Sequence, residues 1–63
     1  MKCRIKDHRE KAKMTQEELS RRANVSRATI SALENDRLEV AKTSTLLKLA
    51  NAMGCKVSDF LSL

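Results

Sequence analysis

Residues able to carry covalent or metal chemistry are sparse in this chain. His8 is the single histidine, and Cys3 and Cys55 are the two cysteines. A structural zinc site needs about four ligands at short spacings, a set that Cys3, His8 and Cys55 do not supply. A Ser/His/Asp arrangement would depend on His8 alone, which lies in a charged segment and reads as a solvated surface residue. With one glycine in the chain there is no glycine-rich phosphate loop. No catalysis, metal or cofactor is expected, and the chain is not read as an enzyme. The two cysteines could form at most one bridge, and in a reducing compartment both are expected as free thiols.

What the sequence holds in quantity is positive charge. Thirteen Lys plus Arg stand against 8 Asp plus Glu, giving +5 and a pI near 9.7. An anionic partner follows as the first expectation. The excess is concentrated: Lys2, Arg4, Lys6, Arg9, Lys11 and Lys13 face only Asp7 and Glu10 in residues 1–14, a net of +4.

Composition bounds what can position these charges. A chain of 63 residues makes one domain and buries only about 60% of the surface that its unfolded form exposes. An apolar fraction of 41% beside 33% charged residues suits a small aliphatic core. No apolar run exceeds two residues, so neither a membrane span nor a secretory leader is read, and a cytoplasmic location is expected. One Gly, no Pro and the lone aromatic Phe60 leave the chain without the turn chemistry of a β-sandwich. The expected class is all-α.

Five helices account for the chain. Met1, Ile5, His8 and Ala12 recur at helical spacing in the first, basic segment. A cationic helix of this kind could lie on a membrane only with bulky apolar residues opposite the charge, which are missing. Thr15-Gln16-Glu17-Glu18 forms a capping box, with Met14 and Leu19 at the staple positions, so a second helix starts near Gln16 and ends at Asn24. Ser26 caps a third, with Val25 and Ile30 in the same staple spacing, running to about Glu34. Two short helices joined by Asn24 to Ser26 suit the bent pair used to read DNA. From about Ser44, Leu46, Leu49, Ala50 and Met53 mark a core-facing fourth helix that Gly54 stops. Ser58 is the expected cap of a last short turn carrying Phe60 and Leu61.

The stretch MTQEELSRRANVSRATISALEN, residues 14–35, resembles the helix-turn-helix of the Cro/C1-type (lambda-repressor-like, XRE) family of transcriptional regulators. TLLKLANAMGCKVSDFL, residues 45–61, resembles the fourth and fifth helices of the same family. The resemblance implies a compact five-helix lambda-repressor-like domain over residues 1–63, with helices two and three as the helix-turn-helix. Where the family often has Gly after the Asn that ends helix three, Asp36 stands here.

At 100° per residue, turning Ile30 and Leu33 to the core puts Ala28, Ser31, Ala32 and Asn35 on the opposite face, with Arg27 and Thr29 on the flanks. The resemblance brings Arg27, Ala28 and Ala32 to base edges. Arg27 alone has strong hydrogen-bonding capacity, and its guanidinium could grip guanine O6 and N7, a contact worth about 1–3 kcal/mol of discrimination. Ala28 and Ala32 could touch thymine methyls, while Ser31 and Thr29 could bond to bases or phosphate with little selectivity. Taken by itself, Arg27 also reads as a solvated first-turn arginine. The resemblance further implies backbone contacts by Gln16, Asn35 and Arg37, with Thr15 both cap and phosphate donor, and an internal ion pair between Arg9 and Glu34. As an isolated loop arginine, Arg37 is ordinary surface.

The expectation is a DNA-binding transcriptional regulator, a repressor in type, placing helix three in the major groove as a homodimer on a two-fold symmetric operator. The alternative is an antitoxin-like or adaptor module acting through a protein partner. Leu38, Val40, Leu61 and Leu63 could form an apolar patch serving either a partner or the homodimer. With the sequence ending at Leu63, no ligand-sensing second domain is expected, and regulation would act through abundance or a partner.

Overall fold

The computed structural model describes residues 2–37 and 42–62. Five helices, α1 (Ile5–Lys11), α2 (Gln16–Ala23), α3 (Arg27–Glu34), α4 (Thr43–Met53) and α5 (Val57–Phe60), are flanked by two-residue strands β1 (Lys2–Cys3) and β2 (Leu61–Ser62). The fold is all-helical apart from this antiparallel ribbon, which pairs Lys2 with Ser62 and Cys3 with Leu61. Arg4 N–H donates to the Phe60 carbonyl at 2.6 Å and continues the pairing.

The core forms where the helical stripes converge. Ile5, Leu19, Ile30, Leu33, Leu49 and Phe60 are fully buried, each contributing about 1.5–3 kcal/mol by leaving water. Both staples close inward: Met14 and Leu19 are buried, as are Val25 and Ile30. Helix α2 packs on α3 and α4, and α1 packs on α3 and α5. The bent pair α2–α3 is thereby held against a shared apolar floor.

Four helix ends turn through a residue at positive φ: Lys13 (58°), Asn24 (55°), Asp36 (59°) and Gly54 (68°). Glycine adopts this region freely, and asparagine and aspartate tolerate it. Lysine has no such tolerance, so Lys13 is the strained member. At α1, Lys13 N–H donates to the Glu10 carbonyl and Met14 N–H to that of Arg9. At α3, Asp36 N–H donates to Leu33 and Arg37 N–H to Ala32. Both pairs have the Schellman pattern that satisfies the last helical carbonyls.

Three local expectations need correction. The first helix is shorter than its apolar spacing implied, because residues 2–3 pair with the other end of the chain, and Ala12 is its exposed C-cap. His8 is half-buried, its ring set edge-on to Phe60 with centroids 6.4 Å apart, and is not a solvated surface residue. Ser58 lies inside α5, whose N-cap is Lys56: the Asp59 carboxylate accepts the Lys56 N–H at 2.8 Å. Leu61 leaves that helix for the ribbon.

Candidate nucleic-acid interface

The turn between α2 and α3 is fixed by short-range hydrogen bonds. Thr15 Oγ1 accepts from Glu18 N–H at 3.0 Å while Glu18 Oε1 accepts from Thr15 N–H at 3.2 Å, completing the capping box. Ser20 Oγ donates to the Val25 carbonyl at 2.6 Å, stitching the end of α2 to the turn. Ser26 Oγ accepts from Thr29 N–H at 3.2 Å and lies 2.8 Å from Thr29 Oγ1. A two-turn helix is too short to persist alone, so these caps and the packing beneath them hold α3 in place.

The outward face of α3 is graded. Arg27 and Ala28 are exposed, whereas Thr29, Ser31 and Ala32 are half-buried. Asn35 and Arg37 are exposed just past the helix, with Asn35 Nδ2 donating back to the Ser31 carbonyl at 2.8 Å. Apart from Arg27, which is exposed in the first turn, the helical side chains on this face are small.

Behind this face lies a polar chain that crosses three helices. Arg9 Nε donates to Glu34 Oε2 at 2.7 Å and Arg9 Nη2 to Glu34 Oε1 at 3.3 Å, a two-pronged ion pair with side chains only 11% and 7% exposed. Arg9 Nη1 donates to the Met14 carbonyl at 2.7 Å. The bond to Glu34 pushes the Arg9 guanidinium further above its already high ordinary value. Gln16 Nε2 donates to Glu34 Oε1 at 2.9 Å, and Arg27 Nε faces Gln16 Oε1 at 3.5 Å. One hydrogen-bonded series therefore runs from the interior to the exposed arginine.

Asp36 adds a second tether. Its Oδ1 accepts the N–H of Cys3 at 3.2 Å, linking the end of α3 to β1 across 33 positions of sequence. Neither this bond nor that between Gln16 and Glu34 had a signal in local spacing. Both cysteines are free thiols, Cys3 buried and Cys55 half-buried, and burial pushes each above the ordinary thiol value. Among the described residues no cluster of His, Cys, Asp or Glu could hold a metal, and no helix is long and apolar enough to cross a membrane. Of the apolar patch read from sequence, Leu61 is half-buried against the core opposite Cys3, while Leu38, Val40 and Leu63 lie outside the described residues.

Two short helices set by a three-residue turn, the second offering small residues and an arginine at its start, define a helix-turn-helix protein of the DNA-binding class. Residues 5–60 match the family model described as Helix-turn-helix. A curated relative from Archaeoglobus fulgidus, named "Uncharacterized HTH-type transcriptional regulator", is 39% identical over 59 residues, covering 94% of this chain and 82% of that protein. No solved structure matches the chain. The chain belongs to the Cro/C1-type helix-turn-helix family, a family of DNA-binding transcription regulators.

Proposed function

We propose that residues 1–63 act as one sequence-specific, duplex-DNA-binding module in the cytoplasm, working as a repressor. Helix α3 enters the major groove, with Arg27 on a guanine and Ala28, Ser31 and Ala32 against neighbouring base edges. Thr15, Gln16, Thr29, Asn35 and Arg37 hold the flanking phosphates and fix the register. The observation that carries this reading is the exposure of Arg27 and Ala28 at the start of a helix whose other side chains are small or core-facing. The surplus charge supplies the long-range attraction, with Arg4, Lys6, Lys11 and Lys13 all exposed. Two copies would set two recognition helices about one DNA turn apart, and a dimer on its operator would obstruct transcription.

The test is selection of bound duplexes from a random DNA library near physiological salt, where phosphate-driven binding is already weakened. The expected result is a two-fold symmetric site. Enrichment of a single half-site would remove the dimer, and enrichment of nothing would remove sequence-specific recognition.

A further inference from the structure

We propose that Glu34, which lies behind the reading face, determines base specificity by setting the hydrogen-bond polarity of Gln16 and through it the pose of Arg27. The inference rests on the DNA-reading role given above to Arg27. Its starting point is the chemistry of an ionised carboxylate, which accepts hydrogen bonds and donates none. A Gln side chain has one end of each kind. Gln16 approaches Glu34 Oε1 at 2.9 Å and can do so favourably only with its NH2 end, because its carbonyl end would set two acceptors against each other.

That choice fixes the other end. With Nε2 committed to Glu34, Gln16 Oε1 is turned toward Arg27 Nε, 3.5 Å away. An arginine held through Nε keeps both terminal nitrogens free, and these form the fork that matches guanine O6 and N7. The carboxylate itself cannot turn to another role. Arg9 holds both of its oxygens, at 2.7 and 3.3 Å. The buried pair therefore acts as a fixed reference from which donor and acceptor sense propagates outward, by way of an amide that would otherwise flip freely. Glu34 and Gln16 are positioning residues in this scheme, and Arg27 is the group that touches DNA.

The consequence separates this scheme from a Gln16 that merely contacts phosphate. Gln16→Lys can still donate to Glu34 but accepts from nothing, so it keeps the inner contact and removes the support of Arg27 Nε. Its added charge also strengthens attraction to every phosphate backbone. The experiment compares base preferences of wild type, Arg27→Ala, Gln16→Lys and Glu34→Gln by selection from a random duplex library, with affinities then measured on single-base variants of the recovered site. Arg27→Ala identifies the position that Arg27 reads. In wild type, preference there should be roughly 5- to 150-fold, the range a bidentate arginine–guanine contact supplies.

In Gln16→Lys the preference at that position should fall to within roughly 3-fold of none while average affinity over all sequences rises. Glu34→Gln, where it folds, should lose preference at the same position without direct contact to DNA. Retention of the full preference by Gln16→Lys, with binding merely stronger, would overturn the proposal and leave Gln16 a phosphate contact. A wild-type chain that selects no sequence would sink both this proposal and the function on which it rests.

Discussion

Lys13→Gly and Asp36→Gly relieve the same left-handed backbone at two helix ends, and they should move stability in opposite directions. At Lys13, φ is 58° and the side chain is exposed. A side chain in this region costs roughly 1–2 kcal/mol, and glycine forfeits about 0.5–1 kcal/mol of that through the freedom of its unfolded chain. The net gain for Lys13→Gly is about 0.5–1 kcal/mol, or roughly 2–8 °C in Tm for a domain of this size. Asp36 has the same φ of 59°, but aspartate tolerates it and its carboxylate accepts the N–H of buried Cys3. Glycine there leaves that donor without its acceptor, a loss of about 1 kcal/mol after allowing for the exposure of Asp36, so Tm should fall by roughly 4–8 °C. Asp36→Asn keeps both the backbone tolerance and an Oδ1 acceptor and should stay near wild type. Thermal unfolding followed by circular dichroism reads all three. A rise in Tm for Asp36→Gly would refute the tether, and a fall for Lys13→Gly would refute the account of strain.

Other consequences are as direct. Arg9→Ala or Glu34→Ala leaves a charge nine-tenths buried without its partner and should cost about 3–5 kcal/mol, enough to unfold much of a domain this small; loss below about 1 kcal/mol in urea titration would mean the pair is solvated. Arg27→Ala should relax preference at one base per half-site, while Arg37→Ala should weaken all sequences alike and lower the salt slope by about one, and the reverse pattern in binding isotherms would exchange their roles. Burial holds the thiols of Cys3 and Cys55 above the ordinary value of 9.0, with Asp59 adding to the shift at Cys55. Because the unfolded chain releases these protons first, stability that is whole below about pH 9 should decline as pH rises past it toward the folded values. A chain with both cysteines changed to alanine should show a shallower decline above roughly pH 9, and identical slopes would refute the burial effect.

What could be read without coordinates was whatever depended on neighbours in sequence. The capping box at Thr15 and Glu18, the two staples, the stripe of α4 and the stop at Gly54 each involve residues at most five apart in sequence or repeat at the helical period, and each stands where its pattern placed it. The two-residue ribbon is too short to show alternation, so its register could not be read from spacing. Spacing points to Ser58 as the cap of α5, whereas Asp59 supplies half of a capping box by accepting the Lys56 N–H without a Ser or Thr at the first position. The face of Arg27 and Ala28 was legible from angles, but the partner behind it was not. Nothing in the periodicity of residues 9, 16 and 34 announces a shared carboxylate, and the Arg9–Glu34 pairing entered only through family resemblance.

The location of those unreadable contacts has a physical cause. Helix α3 has eight residues, fewer than the roughly 12–15 at which even an isolated helix becomes marginal, so its position depends on partners outside itself. Ile30 and Leu33 anchor it below, yet two apolar side chains on one stripe leave rotation about the stripe weakly resisted. The directional restraints come at its ends: Arg9 and Gln16 hold Glu34, Ser26 holds Thr29 N–H, and Asp36 just beyond grips β1. Polar bonds specify angle where apolar contact specifies only proximity. In a chain this small, the groups that orient α3 also touch Arg27, the residue proposed to read bases. Gln16 sits in both sets, between Glu34 and Arg27. On the proposed reading, stability and base preference share atoms at Gln16 and Glu34, while substitutions at Leu49 or Phe60, fully buried apolar side chains outside that series, should change stability with base preference intact.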